Sequence, residues 1–94
     1  MKITPISKIV KTENTLLQEL DCEAVLLNLD NNQYYRLDEI SLRMFNLMIN
    51  SKDLNEAHKT LSAEYDVPAE KLWHDLIEFA EDLEKSGLVC VLNE

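Results

Sequence analysis

The 94-residue sequence predicts an α+β fold, with a three-stranded antiparallel sheet followed by three helices and a short C-terminal strand. Three features predict it. Two short runs, Ala24-Val25-Leu26-Leu27-Asn28-Leu29 and Gln33-Tyr34-Tyr35-Arg36-Leu37, flank Asp30-Asn31-Asn32 and contain no Gly or Pro, as the strands of a hairpin do. From Asp38 onward, apolar residues recur at the three- and four-residue spacing of a helical face. Gly87, the one glycine, stands just past the last of them, where a left-handed helix cap is favoured.

The segment from Ile3 to Thr12 alternates too weakly to fix a face and reads as an N-terminal arm or an extra strand. Thr15 to Leu20 is the first strand of the meander, joined to the Ala24 run by a tight hairpin at Asp21-Cys22. Asp38 suits an N-cap, and Ile40, Met44, Leu47 and Met48 line one face of the first helix with Phe45 and Ile49 alongside. Asp53 with Glu56 three residues later resembles a capping box, and Leu54, Ala57, Leu61 and Tyr65 continue as a second amphipathic helix. Pro68 at a first helical position and Gly87 at the cap bound the third and longest helix, Ala69 to Ser86. Leu88 to Leu92 closes the chain as a strand or apolar tail.

Length fits one domain spanning residues 1–94, large enough to bury roughly 60 to 65% of its unfolded surface. With 46% hydrophobic residues the chain should fold, and 1 Gly with 2 Pro leaves no linker to excise. No apolar run approaches the ~20 residues of a membrane span, and the start lacks the apolar core of a secretory signal, so the expected location is the cytoplasm, away from membranes. A formal charge of −9 opposes contact with nucleic acid. Cys22 and Cys90 lack metal spacing and read as reduced thiols.

Chemistry is nearly absent from the sequence. There is no Gly-rich phosphate loop, no Cys pair at metal spacing, no His-Glu helix signature, and no nucleophile with an identifiable base. No catalytic residue, metal or cofactor is expected. His58 and His74 fall on different helices and read as exposed, non-catalytic side chains.

Two features remain for binding. The Gln33 to Leu37 strand comes last in its sheet and offers a free backbone edge on which an extended peptide could pair, although Tyr34 and Tyr35 also suit a strand that merely fills the core. On the third helix, Leu72, Leu76, Phe79 and Leu83 share about 60° of arc, while Trp73, Ile77 and Ala80 form a second stripe about 100° around. Either the core takes the whole sector, or the second stripe walls a groove for a partner's apolar side chains. The opposite arc, with Lys71, His74, Glu78, Glu81, Asp82 and Lys85, is a solvated face with Asp75 at its margin. Asp75, Glu78 and Asp82 fit either plain solubility or recognition of a basic residue in a ligand.

The order of elements, with Glu23 to Leu29, Tyr34-Tyr35-Arg36-Leu37-Asp38, Tyr65-Asp66-Val67, Asp75-Leu76 leading to Phe79 and Leu83, and Gly87-Leu88-Val89, resembles the PqqD family over residues 13 to 92. Those proteins are recognition elements for ribosomally synthesised and post-translationally modified peptides, with a winged-helix-like fold. The resemblance implies a non-catalytic adaptor on which the leader of a precursor peptide adds as an antiparallel strand. The implied site is Gln33, Tyr34, Tyr35, Arg36 and Leu37 as backbone partner, with Trp73, Leu76, Ile77 and Ala80 lining the cleft. Implied partners are the leader and a separate modifying enzyme, radical enzyme or leader peptidase.

The chain departs from the family where Gly usually precedes the Tyr-Tyr pair and where Gly and Trp usually stand in the first helix; here those positions hold Gln33 (or Asn32), Ser41 and Phe45. This leaves pyrroloquinoline quinone maturation, a lasso peptide pathway and other radical-enzyme systems open. The absence of an appended enzyme domain favours a free-standing adaptor. Two alternatives use the same elements: a winged-helix transcription regulator, and a self-pairing module in which the free edge forms a homodimer. The third helix opposes the first alternative, since it sets Lys71 and Lys85 against Glu70, Asp75, Glu78, Glu81, Asp82 and Glu84.

Overall fold

A computed structural model describes residues 3–93. In chain order the elements are β1 (Lys8–Lys11), β2 (Thr15–Leu20), β3 (Glu23–Asn28), β4 (Tyr34–Leu37), α1 (Glu39–Asn50), α2 (Leu54–Glu64), α3 (Ala69–Lys85) and β5 (Val89–Leu92). The predicted meander is present as an antiparallel sheet in the order β2-β3-β4, and the three helices follow it. The segment read as an arm or extra strand is β1, which pairs not with the meander but with β5, from Lys8 opposite Leu92 to Lys11 opposite Val89.

The sheet turns one face to the helices because its side chains alternate. Ala24, Leu26 and Asn28 of β3 and Leu37 of β4 are buried, whereas Val25 and Leu27 between them are only half-buried. The inner face packs on α1, and α3 lies against α2 and β5. Phe45, Met48, Leu54, Leu61, Leu76 and Leu83 join Leu26 and Leu37 in one buried core. Ile9 of β1 is also buried there, and the Lys8 ammonium donates to the Ile49 and Ser51 carbonyls at 2.7 and 2.5 Å. A cation at the open carbonyls of a helix C-terminus is favourable, so β1 anchors the end of α1.

The turns follow from local chemistry with small corrections. The Asp21-Cys22 hairpin lacks Gly, and Asp21 itself takes the positive φ of 56°. Gln33 leaves the predicted strand because its N–H donates to Asn31 Oδ1 at 2.9 Å, although its carbonyl still accepts from Asn28. Leu29 likewise lies past the end of β3, and Ile40, placed on the buried face of α1, is 54% exposed one turn ahead of Met44. Pro68 is the N-cap of α3 rather than its first residue: its ψ of 138° is extended, and its carbonyl accepts the Leu72 N–H at 3.1 Å. In the capping box, Asp53 accepts the Glu56 N–H at 3.0 Å, but the Glu56 carboxylate reaches back to Lys52, one residue before the cap. Both cysteines are free and exposed.

Asp38 caps α1 as expected, accepting the Ser41 N–H at 2.8 Å. Chiefly that bond holds its carboxyl below the ordinary carboxylate range. Asp38→Ala should therefore cost about 1 kcal/mol at neutral pH, read by urea unfolding. A depressed carboxylate stabilises the fold above its unfolded pKa of about 4 and loses that contribution as pH falls through the folded value. The gap between wild type and variant should accordingly close on acidification below about pH 4, and a gap that persists to pH 2 would reject the cap as its origin.

Candidate functional site: an open strand edge beside the third helix

Among the described residues β4 has a neighbour strand on one side only, since it pairs with β3 and ends the sheet. The Asn28 N–H donates to the Gln33 carbonyl at 2.8 Å, and the register continues through Leu26 opposite Tyr35 and Ala24 opposite Leu37. In an antiparallel ladder the hydrogen-bonded pairs come every second residue, so the Gln33 carbonyl and the main-chain groups of Tyr35 and Leu37 are spent on β3. Tyr34 and Arg36 then turn N–H and C=O toward the open edge. Two donors and two acceptors face outward from a four-residue strand.

The side chains divide by the same alternation. Leu37 is buried and Tyr35 half-buried on the inner face, while Tyr34 (68% exposed) and Arg36 stand on the outer face. Arg36 pairs weakly with Glu23 at 3.7 Å, with both side chains largely in water, an arrangement worth little. Across the outer face, Leu16, Leu27 and Tyr34 occupy one cross-strand row, so the sheet keeps an apolar stripe outside as well as inside.

α3 closes the inner side of this edge. The Tyr35 ring meets Phe79 edge-on, with centroids 6.0 Å apart and planes at 63°. This geometry suits the opposite signs of ring edge and face. Burial, then the carboxylates of Asp82, Glu78 and Asp38, push the Tyr35 phenol above its usual range. With Asp82 and Glu78 about 60° and 100° around the helix from Phe79, the α3 flank toward β4 is an aromatic floor with an acidic rim. Asp75 is paired with Lys71 at 3.1 Å and Glu78 with His74 at 3.1 Å. Asp82 is half-buried, and among the described residues no cation pairs with it.

This geometry divides the residues that sequence reasoning placed in the cleft. Leu76 and Ala80 are 0% exposed and belong to the core beneath the site. Trp73 stacks on His58 of α2, with centroids 4.1 Å apart and planes at 10°, so it faces α2. Ile77 lies about 160° around the helix from Phe79, the residue that touches β4, and Trp73 about 120°. The second stripe is therefore not brought to the strand edge. Trp73 and Ile77 pack, half-buried, against the core that Ala80 joins. His58, expected to be exposed, is half-buried under Trp73, with Nε2 3.1 Å from the Ala69 carbonyl.

The residue beside the edge that sequence reasoning left out is Phe79, assigned only to the core; the sequence leaves Glu78 and Asp82 open between solubility and recognition of a basic residue. Periodicity shows how wide an apolar sector is, but not which of its flanks meets the strand. A cleft of about 490 Å³ lies elsewhere, lined by Ile6, Lys8, Lys52, Asp53 and Leu92, with no residue from β4 or α3. Among the described residues no group of acids, Cys and His could hold a metal, and no helix is long and apolar enough to cross a membrane.

The chain is similar to TbiB1, solved in complex with the TbiA(beta) leader peptide: 26% identity over 90% of this chain and 99% of that one, with a TM-score of 0.82. It shares its fold with a lasso peptide synthetase B1 complexed with its leader peptide, at 16% identity over 88% and 98% of the two chains and a TM-score of 0.80. No curated protein matches it. Residues 23–89, from the first residue of β3 through α3 to the first residue of β5, match the family described as "Coenzyme PQQ synthesis protein D (PqqD)", and the chain belongs to that family.

Proposed function

We propose that this protein is a non-catalytic adaptor that captures the leader of a ribosomally made precursor peptide by strand addition to β4 and hands the peptide to a separate modifying enzyme or leader peptidase. The observation that carries the proposal is the unpaired edge at Tyr34 and Arg36 beside the Tyr35 and Phe79 rings. Support comes from the likeness to TbiB1, which was solved with a leader peptide. Main-chain pairing supplies affinity that tolerates sequence variation, and the flank of α3 supplies selectivity. Holding the leader raises the effective concentration of the rest of the peptide at an enzyme that docks nearby, which requires no chemistry from the adaptor.

The test is calorimetric titration with leader peptides synthesised from the small open reading frames beside the gene, with duplex DNA as control. Saturable binding of one leader at micromolar or tighter affinity, about −8 kcal/mol, is expected, with no uptake of DNA. Silence toward every leader together with a concentration-dependent mass would replace the adaptor with a self-pairing module. DNA binding would replace it with a regulator.

A further inference from the structure

We propose that the segment captured at β4 is a basic one, carrying a Lys or Arg whose charge lies between Asp82 and Glu78 while its methylenes cover the Tyr35 ring. The inference rests on the strand-addition reading and specifies its substrate class. A strand paired to Tyr34 and Arg36 places the residues opposite them on the outer face of the sheet, and the residue between, opposite Tyr35, on the inner face toward α3. One position of the ligand is therefore aimed at α3. Directly opposed side chains have Cβ atoms about 5 Å apart, so a long side chain starting there reaches past Tyr35 to the helix.

What it meets is set by the flank already described. Phe79 supports the Tyr35 ring at 6.0 Å, giving an apolar bed for methylenes and a ring face for a cation. Asp82 and Glu78 lie about 60° and 100° around α3 from Phe79, on the side away from Trp73 and Ile77, which sets them at the rim of that bed. The other nearby carboxylates are engaged: Asp38 caps α1, and Asp75 holds Lys71. Asp82 is half-buried with no cation among the described residues, and Glu78 has only a solvent-exposed pair with His74. A lysine or arginine would supply the counter-charge that the fold leaves out. The formal charge of −9 adds long-range attraction for basic segments and repulsion of acidic ones.

The experiment is selection of an mRNA-displayed library of random 15-residue peptides on four proteins, each checked for native circular dichroism: wild type, Asp82→Asn/Glu78→Gln, Asp82→Lys, and Arg36→Pro, which blocks the open edge. Wild type should enrich extended peptides with Lys or Arg at one fixed register position. The neutral variant should lose that preference and bind the selected peptides about tenfold more weakly, while still enriching extended apolar peptides. Asp82→Lys should move the preference at that position to Asp or Glu. A wild-type selection without basic bias, or a bias that survives in the neutral variant, would overturn the inference and leave strand addition standing. Equal enrichment by Arg36→Pro, or no enriched peptide on wild type, would overturn strand addition and the inference with it.

Discussion

Arg36→Pro should lower affinity for the cognate leader by roughly a hundredfold or more while costing the fold about 1 kcal/mol or less. The asymmetry comes from the phase of the ladder. Arg36 sits opposite Val25 in a pair that makes no main-chain bond to β3, so its N–H points to the open edge and proline removes a donor that the folded protein does not use. Tyr35, the residue before the new proline, is already extended, as a pre-proline residue prefers. The lost side chain had only the 3.7 Å surface pair with Glu23. An incoming strand instead loses one of the few hydrogen bonds on offer and meets the ring where its own carbonyl should dock. Arg36→Ala is the control, because it deletes the same side chain and keeps the N–H. Titration of both variants with one leader separates the edge from the charge. If proline binds as well as alanine, the leader is not held by pairing to β4.

Much of the fold was written in local signals. Asp38 and Asp53 cap their helices because a short carboxylate after an extended residue has few better partners, and Gly87 ends α3 because a left-handed cap disfavours other residues. The edge position of β4 was legible as well, since a strand followed directly by helices has no later strand of the meander to cover it. Which flank of α3 faces that edge was not. Trp73, Ile77 and Ala80 read as a groove wall because apolar residues outside the core suggest a partner. The partner for Trp73 is internal, the ring of His58 eleven residues before the start of α3, and that contact depends on the crossing of two helices, which no spacing within either one specifies. The same missing angle hid Phe79 and left Glu78 and Asp82 open between a solvated face and the rim of a candidate site. The pairing of β1 with β5 was hidden for a related reason: it joins the two ends of the chain, and neither run alternates strongly enough to name its neighbour.

Gly87→Ala should be the most damaging small substitution in the chain, costing about 2 to 4 kcal/mol, from a left-handed backbone that alanine resists and a collision with a buried amide. Gly87 has φ +73°, and a Cβ there would lie 2.8 Å from Asn28 Nδ2. Asn28 cannot simply withdraw. Its Nδ2 donates to the Gly87 carbonyl at 2.9 Å, its Oδ1 accepts the Asp30 N–H at 2.9 Å, and its main chain closes the turn into β4. Thr12 Oγ1 donates to the same Gly87 carbonyl at 3.0 Å, and the Leu88 N–H returns to the Leu83 carbonyl at 3.0 Å to finish the cap. The residue thus joins the end of α3 to the hairpin that carries the site. A double-mutant cycle with Asn28→Ala divides the cost, because truncating Asn28 removes the collision and leaves the strained backbone. In the Asn28→Ala background Gly87→Ala should cost only about 1 kcal/mol by urea unfolding, so the two substitutions should together cost less than their separate sum. Strict additivity would mean that the amide never met the new methyl, and that φ alone accounts for the loss.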